Sequence, residues 1–111
     1  MQKDKHEIVT GNLVNGKIEN PFWAGEAFYF SEQNYFEMHI SLFDIPWYAS
    51  KNKESDSYTI FKEKIEENGK LRFRCPLGKA FISDKFKSYL KISVPLWNPS
   101  YQPYINLYPS L

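Results

Sequence analysis

Cysteine occurs once in the 111 residues, at Cys75, and a single thiol excludes an intrachain disulfide. Histidine occurs twice, at His6 and His39, and neither has the paired spacing with Cys75 or with the other that a zinc site needs. The five glycines are scattered at 11, 16, 25, 69 and 78, so no phosphate-cradling loop is written into the chain. No run of 18 apolar residues occurs, which excludes a membrane-spanning helix. Neither sign of charge dominates: 14 Lys and Arg stand against 13 Asp and Glu, leaving a net +1. A whole-molecule field therefore gives no argument for a nucleic-acid partner, and only local clustering can. The start, Met1 to His6, lacks the apolar stretch of a secretory signal. With the lone cysteine, this sets an intracellular, cytoplasmic location as the expectation. No internal repeat and no low-complexity tract are read from the chain, and no cofactor is indicated.

What is abundant is the aromatic ring. Phe, Tyr and Trp make up 18% of the chain, as nine, eight and three residues. That is more than a core of this size needs, so part of the set is expected on the surface. The length suits one domain, with residues 1–6 as a loose start, 7–96 as the folded body and 97–111 as an extended tail.

The stretch from Trp23 to Phe43 alternates most clearly. It predicts a β-hairpin with a first arm Glu26 to Phe30, a turn at Ser31 to Asn34, and a second arm Tyr35 to Phe43. Phe36, Met38, Ile40 and Leu42 share the buried face of that second arm. Before it, Glu7 to Val14 predicts a strand closed by the tight-turn dipeptide Asn15-Gly16, with Gly11 marking a bulge. Asn20-Pro21 is expected to interrupt the return strand. Tyr58, Phe61 and Ile65 recur at i, i+3 and i+7 ahead of Asn68-Gly69, and this predicts a short helix over 58–68, with a strand as its rival. Leu71 to Cys75 predicts a strand ended by Pro76, with Cys75 on the apolar face. Phe86 to Val94 predicts another, with Leu90, Ile92 and Val94 inward. The prolines of the tail exclude a central strand there and favour an extended, partly polyproline-like segment.

The order of three strands, a short helix and two strands resembles the OB-fold. The resemblance rests on the Gly11-containing strand, the Phe28 to Phe43 hairpin, the Tyr58 to Asn68 helix, and the strands at Leu71 to Cys75 and Phe86 to Val94. It implies a mainly β fold, a small five-stranded OB-like barrel with one helix between its third and fourth strands. It also implies binding of single-stranded DNA, RNA or oligosaccharide. The candidate nucleic-acid-binding residues are Arg72, Arg74, Lys87 and Lys91 as a basic stripe, with Trp23, Tyr29, Tyr35 and Tyr89 as stacking platforms. The competing expectation is an ordinary solvated strand face beside covered rings. A different class, a protein-interaction module such as a small inhibitor, immunity or accessory protein, suits the many Tyr and Trp at near-zero net charge. Tyr101, Tyr104 and Tyr108 of the tail could serve such a partner or a second protomer, or fold back over the barrel's own edge. Sugar binding through Trp23, Trp47 or Trp97 lacks an accompanying carboxylate cluster. An enzyme is the least expected class: His39 lies between Glu37 and Ser41, but i and i+2 positions on a strand stand roughly 7 Å apart, too far for a nucleophile–base bond.

Overall fold

The computed structural model describes residues 3–41, 43–97 and 101–108. Among them the chain forms eight strands: β1 (Lys3–Val14), β2 (Lys17–Phe30), β3 (Tyr35–Ile40), β4 (Trp47–Lys51), β5 (Tyr58–Glu67), β6 (Lys70–Ile82), β7 (Tyr89–Ser93) and β8 (Pro103–Asn106). Each pairs antiparallel with the next, and β8 returns to pair with β1, so the sheet closes on itself as an up-and-down barrel. Closure leaves the barrel wall without a free edge. The mainly β class holds, while the expected five strands and helix are replaced by eight strands and, among the described residues, no helix.

Three local expectations are corrected for physical reasons. Residues 58–67 are strand β5: Tyr58 shares the inward face with Ile60, while Phe61 and Ile65 fall at alternate positions on the other face, so residues of two faces together mimic a helical spacing. Pro76 does not end β6, whereas Asn20-Pro21 does interrupt the return strand as expected, as a bulge opposite Gly11 where neither residue has a partner on β1, although β2 continues through it. Each proline lies beyond the point where its strand pairs with the following one, at Gly25↔Ile40 and Lys79↔Ser93, so the missing N–H falls on an open side. The tail contains the closing strand β8, whose Pro103 sits at its first residue. β1 likewise starts at Lys3, inside the segment expected to be loose. Leu42, Asn98 to Ser100 and Pro109 to Leu111 lie outside the described residues.

Alternation decides what fills the barrel. Ile8, Phe36, Met38, Ile60, Leu90, Ile92 and Ile105 point inward and are buried, together with Ala27, Ala49 and Ala80. Eight strands enclose a space that side chains can just fill. Each fully buried large residue contributes about 1.5–3 kcal/mol.

The two halves of the chain repeat each other. Each is a long hairpin followed by two short strands: β1 to β4, then β5 to β8. The register matches position by position, with Ile8↔Gly25 answered by Ile60↔Gly78, His6↔Ala27 by Tyr58↔Ala80, and Val14↔Lys17 by Glu67↔Lys70. Both hairpins carry a register shift directly after the buried isoleucine. Details outside the hairpins agree as well. The N–H of Phe43 donates to Ile40 O and that of Trp97 to Val94 O, while the N–H of Lys51 donates to Asn34 O and that of Leu107 to Ser88 O. Because four strands carry one half onto the other in the same direction around a closed barrel, the relation is an approximate two-fold about the barrel axis. The absence of a repeat expected from the sequence is thus overturned.

The same symmetry explains the surplus rings. Beyond the barrel wall each long hairpin becomes an arm that crosses the outside of the other half. In the second arm Phe73 packs on Tyr35, Tyr48 and Phe61, with ring centroids 5.3, 6.1 and 5.5 Å away, and Leu71 and Gly69 share a cleft with Gln33 in the β2–β3 turn. In the first arm Gly16 lies against the ring of Phe86 in the β6–β7 connection, so close that a Cβ there would stand 2.6 Å from it. The arms clasp opposite halves, and a second layer of aromatic contacts forms outside the barrel.

Candidate functional site

The fold scatters the predicted basic stripe. Arg72 and Arg74 are exposed on the second arm, where they pair with Ile65 and Glu63 of β5. Lys91 lies on β7 opposite Phe81, and Lys87 is exposed in the β6–β7 connection with φ of 56°. Lys91 and Tyr89 share the outer face of β7, where Tyr89 meets Tyr104 edge-on at 6.2 Å. These cations belong to two separate regions, because the stretch of β6 that pairs with β7 begins only at Lys79.

The proposed platforms divide similarly. Tyr29 points into the barrel end, packs on Phe36 at 4.8 Å and donates its hydroxyl to Asn34 Oδ1 at 2.7 Å. Tyr35 is 4% exposed beneath the arm, stacked on Phe30 and capped by Lys64, whose Nζ donates to its hydroxyl at 3.4 Å. Burial by itself would lower the Lys64 pKa, but the Tyr35 hydroxyl and the nearby Glu37 hold it above the ordinary lysine value. Trp23 alone of the four is widely exposed, at 60%, and its Nε1–H donates to Glu7 Oε2 at 2.7 Å. Of the tail tyrosines, Tyr104 is buried in β8, Tyr101 packs edge-on to Trp97, and Tyr108 is exposed.

Cys75 and His39 also depart from expectation. A positive φ of 63° turns Cys75 off the apolar face and leaves it exposed, with its thiol donating to Glu63 Oε1 at 3.2 Å. That hydrogen bond holds the thiol pKa above its ordinary value, so the thiolate is disfavoured. His39 and Glu37 meet at 2.7 Å, because two long side chains lean along the strand and close the gap that their Cα atoms leave. Ser41 is tied elsewhere through its backbone, whose N–H donates to Ala24 O.

The arrangement that sequence reasoning missed lies at the barrel end formed by the β3–β4 and β7–β8 connections. There Phe43, Trp47 and Trp97 stack with centroids 4.5 to 6.1 Å apart and planes within 21°, and Tyr101 meets Trp97 edge-on at 5.4 Å. Phe43 and Trp97 are symmetry counterparts that meet near the two-fold. Flanking them, Leu96 is 87% and Ile45 51% exposed, and Phe22, at 73%, stands beside Trp23 at the root of the first arm. The described residues of these two connections, 41–46 and 94–97, include one charged side chain, Asp44. The available signal was the pair Phe43 and Trp97, each three residues beyond a buried aliphatic that ends an alternating run.

Fold and surface together define a closed eight-stranded barrel with a filled interior, two clasping arms and one apolar end. No family model matches the chain, and no curated protein or solved structure matches it.

Proposed function

We propose that the protein is an interaction module that binds another protein through the apolar end of the barrel. The observation that carries this is the set Phe43, Trp47 and Trp97, flanked by exposed Leu96 and Ile45. Aromatic anchors with few charges are the composition of an interface core, and a rigid stack costs little side-chain entropy to immobilise. The filled interior turns function to the outside of the barrel.

The test is site-specific photo-crosslinking from positions 96 and 45 in cells that make the protein, with Lys53 at the opposite end as the control. A discrete adduct from 96 and 45 that survives high salt, absent from 53 and lost in Leu96→Asp, is the expected result. Equal adducts from all three positions would refute it. A second reading, binding of single-stranded nucleic acid in a cytoplasmic setting, rests on the paired exposed Arg72 and Arg74 and on Trp23. It requires that oligo-dT bind with a steep salt dependence and that removing both arginines flatten it.

A further inference from the structure

The approximate two-fold gives the barrel wall two equivalent outer faces, one on β1, β2 and β3 and the other on β5, β6 and β7, yet the side chains on them differ. The outward row of Glu7, Glu26 and His39 on the first face is answered by Thr59, Lys79 and Ser93 on the second. The next row has Phe28 beside Glu37 on the first face and Phe81 beside Lys91 on the second. Acid is thus exchanged for base at two positions, Glu26 for Lys79 and Glu37 for Lys91. Trp23, the partner of Val9, is answered by Pro76, the partner of Phe61.

The exchange of large side chains for small ones makes one face a projection and the other a recess. Trp23 stands exposed on the first face, its indole fixed by Glu7. On the second face a groove of about 370 Å³ is lined by Pro76, Phe81 and Pro95 together with Thr59, Gly78 and Ser93, and Lys79 borders it. That is room for one indole against two proline rings and a phenyl. The charges complement each other as well. On the first face the carboxylates of Glu7, Glu26 and Glu37 outnumber the ammonium groups beside them, those of Lys5 and Lys64, and His39 shares Glu37. On the second, neither Lys79 nor Lys91 makes an ion pair among the described residues. Two carboxylates flank the groove rather than line it: Asp56, which shares a cleft with Phe81, and Glu63, which accepts the thiol of Cys75 next to Pro76.

We propose that copies of this chain associate head to tail, with Trp23 of one copy in the β6 groove of the next and the carboxylates of its face toward Lys79 and Lys91. An indole already held by Glu7 loses little side-chain entropy on docking, and opposite charge favours this pairing of faces over either face with itself. Because the two faces look to opposite sides of the barrel, each docked copy still offers one unused face. The contact is therefore heterologous, and growth continues past the dimer. It lies on the barrel wall and does not depend on the proposed interface at the apolar end.

The experiment is sedimentation velocity of the full chain at low salt, at concentrations up to about 1 mM. The mean mass is expected to rise past twice that of the monomer without a plateau, and to fall when salt is added. Trp23→Ala removes the projection and Lys79→Glu spoils the recess. Both side chains are exposed, so each variant should keep its amide spectrum while its self-association weakens by roughly tenfold or more. Each variant also retains one competent face, so an equimolar mixture of the two should form a one-to-one dimer and stop there. The proposal is overturned if the wild type stays monomeric, if it stops at a closed dimer, or if the mixed variants remain monomeric. It is equally overturned if association survives both substitutions and is lost in Leu96→Asp, which would put the contact at the apolar end.

Discussion

Gly78→Ala and Gly25→Ala separate two costs that are usually entangled. The glycines occupy equivalent positions of the repeat, and a Cβ would stand 2.2 Å from Ser93 O at Gly78 and 2.1 Å from His39 O at Gly25. Real Cβ atoms do not come within 3.0 Å, so each alanine must push the neighbouring strand back by about 0.8 Å or more. That displacement stretches a ladder hydrogen bond of about 2.9 Å beyond the bonding range and disturbs its neighbour. Losing two such bonds and loosening the adjacent packing costs about 2–4 kcal/mol. Gly25 carries a second cost, because its φ of 153° is one that L side chains rarely adopt, and this adds about 1–3 kcal/mol. Urea denaturation should therefore rank wild type above Gly78→Ala above Gly25→Ala, with unchanged slopes. A Gly78→Ala variant within about 0.5 kcal/mol of wild type would refute the close approach of β6 to β7 on which the estimate rests.

Other outcomes follow from single contacts. Phe73→Ala removes the ring that joins the second arm to Tyr35 and Tyr48; it should cost about 2 kcal/mol and expose arm amides to hydrogen exchange before those of β3 and β7. Desolvation pushes the Tyr58 hydroxyl pKa up to about 12 from 10.0. The unfolded chain then loses this proton first, so stability is full below pH 10 and falls as pH rises toward 12. Tyr58→Phe should remove part of that slope in melts recorded across this window. Because Cys75 donates to Glu63, a thiol reagent should react slowly at pH 8 despite the exposure of the sulfur, and Glu63→Gln should accelerate the reaction.

Much of the fold was legible where period and turn chemistry agree. Asn15-Gly16 does close β1 and β2, and the hairpin of β2 and β3 runs as its alternation implies, with Phe36, Met38 and Ile40 inside. The failures came from long-range effects. At 58–67 apolar residues on both faces of one strand, Tyr58 on the inward face and Phe61 and Ile65 on the other, give a helical spacing, and nothing local separates the two. Pro76 and Pro103 read as breaks because a proline's tolerance depends on which neighbour strand is missing, which only the folded sheet reveals. The repeat was written more faintly still. Asn-Gly-Lys-Ile at 15–18 is followed by Gly-Glu-Ala-Phe at 25–28, and Asn-Gly-Lys-Leu at 68–71 by Gly-Lys-Ala-Phe at 78–81, with equal separations. Spacing is shared while most identities are not, since Phe36 faces Leu90's task and Met38 that of Ile92. The apolar end was hidden for a related reason: Trp47 and Trp97 are half a chain apart, and only closure stacks them.

Closure by the last strand also dictates when the molecule can fold. Ile8 pairs with Ile105, almost the whole chain away, so the loop to be closed is nearly the longest the chain allows. Until β8 arrives, β1 and β7 both carry an unpaired ladder. A growing or truncated chain is then an open seven-stranded sheet, and such edges invite pairing with other chains. Folding should therefore be slow for a protein of this size, and the interval of greatest hazard for it lies before residues 103–106 have taken their place.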